Sequence, residues 1–196
     1  AGVFSSTLDA YCKPLIYMRP TTIAEIYDAN SSIREAFTEF VDGISATEAD
    51  AVIEGESWTL AALIEHVAIV ESGISRIASK LVAAAKEAGV ASDGSFQMSE
   101  ALASKFGELA GAKFEAPERV KPTGGIAIAE SLANLEVSTG KFAELKGDLE
   151  SYDLSAFKFP HPYFGEMTPA EWLLVLGGHE ARHLAQGRAM LAKLRS

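Results

Sequence analysis

Apolar residues recur at intervals of three and four in four long segments of the sequence, the spacing that places them on one face of an α-helix. The predicted helices cover residues 22–41, 57–88, 126–149 and 169–194. No series of alternating apolar and polar residues indicates a β-sheet. Because amphipathic helices bury their apolar faces against one another, the pattern predicts an all-α four-helix bundle.

Residues typical of helix ends flank these segments. Thr21 or Thr22 can cap the first helix, and Glu25 lies three residues after Thr22 in the capping-box position. Ser57 is the predicted N-cap of the second helix, which Gly89 ends. Pro169 occupies the first helical position of the fourth helix, a favoured place for proline. The predicted bounds therefore rest on local chemistry as well as on periodicity.

The connections between these segments differ in length and composition. Residues 1–20 are predicted to be an N-terminal lead-in with a short helix at about 5–12, and residues 45–56 a polar connection. The 89–123 connection is long, and a short amphipathic helix is predicted within 95–111. A connection of this length can span the bundle, so it allows the second and third helices to run parallel.

Length and charge narrow the class of protein. The 196 residues predict one domain over residues 1–196, and the formal net charge is −10. An acidic surface repels phosphate backbones and anionic lipids, so no nucleic acid and no membrane is expected as a partner. No apolar stretch is long enough to span a bilayer, and no signal peptide is visible. The lone Cys12 cannot form an internal disulfide, which favours a cytoplasmic location.

Three of the four histidines fall on helix faces predicted to point into the core. His179 and His183 are four residues apart, which places them side by side on the fourth helix. His66 lies on the apolar face of the second helix. Imidazoles from facing helices of a bundle can converge on one divalent ion. Zn and Ni are the expected ions, with Fe and Mn as alternatives, and three protein ligands leave a coordination position open.

Other interpretations of the histidines stay open at this point. A histidine on an apolar face is commonly a core residue with one hydrogen bond, and a single pair at this spacing is a weak signal. The string His179-Glu180-Ala181-Arg182-His183 also matches the zinc-peptidase pattern HExxH. No Asp, Glu or His follows His183, so the downstream third ligand of such peptidases is missing and a peptidase is a distant alternative.

Further candidates lie close to these histidines in the sequence. His161 and Tyr163 belong to an aromatic loop over residues 158–166. His161 is a candidate fourth metal ligand, a substrate contact or a structural loop residue, and Tyr163 is a candidate substrate contact or a packing residue. Arg182 is a candidate for binding a carboxylate of a thiol cofactor, with a surface ion pair as the alternative. Glu71 and Glu180 lie beside the apolar faces, where each is a candidate partner of an imidazole N–H or a solvated surface residue.

Two segments of the sequence carry a resemblance to a known family. The first has SWT at 57–59 and EHV at 65–67, and continues to Glu71. The second reads HPYFGEMTPAEW at 161–172 and GHEARHLAQ at 178–186. In order, spacing and helix context they resemble the DinB/YfiT-like superfamily of metalloenzymes, over about residues 22–190.

The resemblance implies an up-down-down-up bundle and a metal centre formed by His66, His179 and His183. It also implies a function, because related families include isomerases and transferases that use glutathione, mycothiol or bacillithiol. The expected function is that of a metal-dependent enzyme that activates a thiol or water for attack on a small molecule, with a low-molecular-weight thiol as an expected cofactor. A non-catalytic metal- or ligand-binding bundle is the alternative. Family members are frequently homodimers, so a homodimer is an expected assembly.

Overall fold

The computed structural model describes residues 20–109 and 115–196. The lead-in helix predicted at about 5–12, and Cys12, lie outside the described residues. Within the described residues there are six α-helices, a short 3-10 turn and a two-stranded antiparallel sheet. The helices are α1 (Ile23–Asp42), α2 (Ala46–Ala49), α3 (Leu60–Ala88), α4 (Glu100–Glu108), α5 (Ile128–Ser151) and α6 (Pro169–Leu194). The 3-10 turn is Glu118–Val120, and the strands are β1 (Phe159–His161) and β2 (Gly165–Met167).

The four long helices match the four predicted segments, with differences at their ends. Of the two predicted caps, Thr22 is the N-cap of α1, and its hydroxyl accepts from the backbone N–H of Glu25. The prediction that Ser57 caps the second helix is wrong: Thr59 is the N-cap of α3, and its hydroxyl accepts from the N–H of Ala62 at 3.2 Å. The helix α5 begins at Ile128, two residues later than predicted. Threonine and serine are both good caps, so composition alone does not choose between neighbouring candidates.

Two predicted loops contain regular structure. The polar 45–56 connection holds α2, a single turn stabilised by a capping box between Ser45 and Glu48. The aromatic 158–166 loop is largely a β-hairpin, in which Phe159 pairs with Met167 and His161 with Gly165. Both elements are too short for a periodic pattern to indicate them.

Two apolar clusters fix the direction of each long helix. One cluster joins the N-terminal halves of α1 and α6 with the C-terminal halves of α3 and α5, and includes Ile26, Leu81, Leu149 and Trp172. The other cluster joins the C-terminal halves of α1 and α6 with the N-terminal halves of α3 and α5, and includes Phe37, Leu63, Leu135 and Leu184. Thus α1 and α6 run one way, and α3 and α5 run the other. The order is up-down-down-up, as predicted.

The approach of α6 to its neighbours depends on Gly187. A Cβ atom at this position would lie 2.6 Å from Cζ of Phe40 on α1 and 3.2 Å from Cδ2 of Leu63 on α3. Such distances are below van der Waals contact, so any larger residue would displace the Phe40 ring or the helices themselves. Gly187 lies one turn after His183, and the close packing holds that part of α6 against α3. In residues 20–109 and 115–196, no helix is both long and apolar enough to cross a membrane.

Candidate metal centre

The structure brings His66, His179 and His183 together between α3 and α6. One nitrogen from each imidazole lies within 4.8 Å of the others. The Nε2 atoms of His66 and His179 are 3.2 Å apart. Two nitrogens that bind one ion tetrahedrally at about 2.0–2.1 Å lie about 3.3 Å from each other. The spacing therefore fits a shared divalent ion.

The outer nitrogens of two of these rings are held by oxygen acceptors. Nδ1 of His66 lies 2.7 Å from the carbonyl oxygen of Val120, and Nδ1 of His183 lies 3.0 Å from Oε1 of Gln186. A carbonyl oxygen can only accept, so each Nδ1 carries the hydrogen and each Nε2 keeps its lone pair. Metal-binding histidines in proteins commonly have this arrangement, which fixes the tautomer and the ring orientation.

The environment also keeps the three imidazoles neutral. His66 and His183 are buried, and His179 is partly exposed. Burial lowers the pKa of all three rings, most strongly for His179 and His183. The nearby positive charge of Arg182 lowers each pKa further. A neutral imidazole is the form that binds a metal ion, so the donor set fits a divalent transition metal.

Arg182 lies at the cluster itself. Its Nη2 is 2.8 Å from Nε2 of His183, the nitrogen that carries the lone pair. The guanidinium contacts His183, and its charge also acts on His66 and His179. The predicted surface ion pair of Arg182 stays a prediction. Its predicted part in substrate binding stays a prediction.

A segment after α4 covers one side of the cluster and is anchored by the residue next to His66. The carboxylate of the buried Glu65 accepts from the backbone N–H groups of Thr123 and Gly124, at 2.8 and 3.1 Å, and from the Thr123 hydroxyl at 2.6 Å. These hydrogen bonds lower the pKa of Glu65 although its desolvation opposes them. The neighbouring α3 residues Glu65 and His66 thus both form hydrogen bonds with the segment 120–124.

A cavity of about 320 Å³ is lined in part by Trp58, whose ring packs on His66. Trp58 lines the cavity together with Thr59, Thr123 and Gly124, among others. The ring of Trp58 also packs on the His66 imidazole, with centroids 4.8 Å apart. The volume is in the range of small-molecule sites. Trp58 therefore contacts both the cavity and the histidine cluster.

His161 and Tyr163 lie outside the three-histidine group. Nδ1 of His161 accepts from the backbone N–H groups of Tyr163 and Phe164 at 3.1 and 3.3 Å, which closes the turn of the β-hairpin. Its ring packs on Trp172, and burial lowers the pKa of His161 to about 4. The Tyr163 hydroxyl donates to the carbonyl oxygen of Glu115 at 2.7 Å. Their predicted substrate contacts stay predictions.

Glu71 and Glu180 do not hold imidazoles, and neither is a solvated surface residue. Both are 2% exposed and bind Arg34 of α1. Oε1 of Glu180 accepts from Nε of Arg34 at 2.6 Å. The glutamate of the HExxH string is therefore engaged in an ion pair, which removes the feature that suggested a peptidase. Sequence reasoning missed Arg34, because an arginine in an amphipathic helix looks like a surface residue.

The fold and the cluster together define a class of protein, an up-down-down-up helical bundle with a three-histidine group between two of its helices. The family model of the DinB superfamily matches residues 30–186. The chain therefore belongs to the DinB superfamily, whose members often bind metal ions.

One solved structure shows the same fold. It is described as the crystal structure of TT2238, a four-helix bundle protein, and matches with a TM-score of 0.58 and 22% sequence identity. The match covers 86% of this chain and 99% of that one. No curated protein matches the sequence.

Proposed function

We propose that the chain binds one divalent transition metal through His66, His179 and His183 and acts as a metal-dependent enzyme on a small molecule. The observation that carries the proposal is the convergence of three imidazole nitrogens within 4.8 Å, two of them on rings oriented by Val120 and Gln186. Zn or Ni suits imidazole donors best, and Fe or Mn is the alternative.

Three protein ligands leave a coordination position for a small molecule. A divalent ion there lowers the pKa of a thiol or water that binds to it. The residues of the chain supply the rest: Val120 and Gln186 hold two rings in the binding tautomer, and Trp58 shields the His66 face. We infer a reaction of the S-transferase type. The sulfur forms a bond to an electrophilic carbon, the leaving group departs with its electron pair, and the thiol proton passes to solvent.

The first test is metal analysis of protein purified without a polyhistidine tag. We expect about one equivalent of ion per chain, lost in His183→Ala and retained in His161→Ala, since His161 lies outside the group. Ion-free protein that takes up no Zn, Ni, Fe or Mn would reject the metal centre.

The second test asks whether the centre is catalytic. Metal-loaded protein is assayed with pairs of a thiol and an electrophile, and with simple esters. Turnover that disappears in His183→Ala supports an enzyme.

A non-catalytic metal- or ligand-binding protein is the second candidate. Glu180, the only acidic neighbour of these histidines on α6 within the described residues, is held by Arg34, so it does not serve as a general base. A chain that binds metal tightly and turns over none of these substrates would favour this candidate.

A further inference from the structure

Arg182 and a bound ion would compete for one lone pair. Nδ1 of His183 donates to Gln186, so the lone pair of that ring is on Nε2. Arg182 donates to this lone pair from Nη2 at 2.8 Å. A divalent ion would lie about 2.0–2.1 Å from the same atom. One sp² lone pair cannot serve both partners, and two cations this close repel each other.

The guanidinium must therefore move when an ion binds, but it cannot move far. Arg182 is next to His183 in the middle of α6, so its backbone stays beside the cluster. Its side chain is partly buried, and a guanidinium forms its strongest hydrogen bonds with carboxylates. With an ion bound, the guanidinium would therefore remain at the edge of the coordination sphere, where a bound small molecule would be.

A second cation lies near the same place. Arg119 directly precedes Val120, whose carbonyl oxygen holds His66. Its charge contributes to the lowered pKa of His161, which in turn affects His179. The chain as a whole has a net charge of −10. Beside the histidines the carboxylate of Glu65 is bound by the N–H groups of Thr123 and Gly124, whereas Arg119 and Arg182 add positive charge. Positively charged side chains around a site attract anionic small molecules.

We propose that Arg182 exchanges partners on metal binding, from Nε2 of His183 to a carboxylate group of the small molecule that occupies the centre. The proposal rests on the proposed function, because it requires an ion at the three histidines. A planar guanidinium binds a carboxylate through two parallel hydrogen bonds, and a neutral ligand of the same size lacks this contact.

The first experiment measures the affinity of the apo-protein for Co²⁺, followed by visible absorption. Arg182→Gln should bind Co²⁺ about tenfold more tightly than wild type, because a competing donor and a like charge are removed. Arg76→Gln is the matched control: Arg76 is an exposed arginine ten residues beyond His66 on α3, about 15 Å along the helix, and its affinity should not change. Equal or weaker Co²⁺ binding by Arg182→Gln would overturn the exchange of partners.

The second experiment titrates the cobalt-loaded protein with two thiols that differ only in the distal group, 3-mercaptopropionate and 3-mercapto-1-propanol. Wild type should bind the acid about tenfold more tightly than the alcohol. Arg182→Gln should bind both alike, and Arg182→Lys should keep part of the preference. The same preference in Arg182→Gln, or none in wild type, would overturn the proposal.

These results separate the two proposals. Wild type that binds no Co²⁺ contradicts the metal centre itself. A different outcome contradicts only the role of Arg182: wild type binds Co²⁺, His183→Ala does not, and wild type binds both thiols with equal affinity. Far-ultraviolet circular dichroism checks each variant for folding, and Arg182→Lys supplies the comparison where Arg182→Gln does not fold.

Discussion

Arg34 donates from Nε to Oε1 of Glu180 at 2.6 Å, and this ion pair ties α1 to the helix that carries two of the three histidines. The same guanidinium also bonds Glu71 of α3 and, from Nη1, the Thr139 hydroxyl of α5 at 3.0 Å. One side chain therefore links all four long helices. The carboxylates of Glu71 and Glu180 are 3% exposed, so the linkage lies inside the bundle.

Arg34→Met should destabilise the fold strongly. The substitution leaves two buried carboxylates without their cation, and breaking a buried ion pair in this way costs about 3–5 kcal/mol. Urea unfolding at pH 8, where an unpaired carboxylate is costly, measures the change. Arg76→Met on the exposed face of α3 is the control and should change stability by less than about 0.5 kcal/mol. A loss below about 1 kcal/mol in Arg34→Met would mean that the network contributes little.

Stability should depend on pH through Glu71. Burial raises the pKa of Glu71 from 4.5 to about 7, and the charge of Glu180 adds to this although Arg34 opposes it. The folded state thus holds this proton more tightly than the unfolded state. The resulting contribution to stability is complete below pH 4.5 and is lost as the pH rises through about 7.

Glu71→Gln isolates that contribution, because glutamine stays neutral at every pH. Between pH 5 and pH 8 the melting temperature of wild type should fall relative to that of Glu71→Gln by a few degrees. Other titrating groups are common to both proteins and cancel in the difference. Melting temperatures that run parallel over this range would show that the pKa of Glu71 is not raised.

Most of the fold could be predicted from the sequence because each long helix has a regular apolar face. Even the parallel pair α3 and α5 was allowed by the length of the 89–123 connection. The hairpin was missed because a three-residue strand such as Phe159–His161 has no measurable periodicity. The cap of α3 was misplaced by two residues because Ser57 and Thr59 are chemically equivalent candidates.

The site was predictable to a smaller extent. Helical spacing and the family resemblance indicated the three histidines, which the structure brings together. The acceptor for His66 was not predictable, since the carbonyl of Val120 is a backbone group 54 residues away and any residue type supplies one. Arg34 was missed for a related reason: its partners Glu71, Thr139 and Glu180 lie on three other helices, and their distance from Arg34 depends on packing that no local pattern reports.

Gly187→Ala should destabilise the junction of α1, α3 and α6. The added Cβ would meet Cζ of Phe40 at 2.6 Å and Cδ2 of Leu63 at 3.2 Å. The buried Phe40 ring or α6 must then shift, at a cost of about 1–3 kcal/mol. Gly140→Ala on α5 is the control: a Cβ there meets nothing within 4 Å, and alanine should stabilise that helix by up to about 1 kcal/mol. Thermal unfolding distinguishes the two, and a Gly187→Ala protein as stable as wild type would show that Phe40 moves aside freely.

Gln186→Ala should weaken metal binding without removing a ligand. Oε1 of Gln186 accepts from Nδ1 of His183 at 3.0 Å, and loss of such a contact typically lowers metal affinity about 10–100-fold. Gln186→Glu restores an acceptor at the same distance and should recover most of the affinity, whereas Gln97→Ala, at an exposed position, should behave as wild type. Competition with a Zn²⁺-binding dye measures all four proteins. If Gln186→Ala and Gln186→Glu bind equally well, the orientation of His183 comes from the packing of α6 and not from its hydrogen bond.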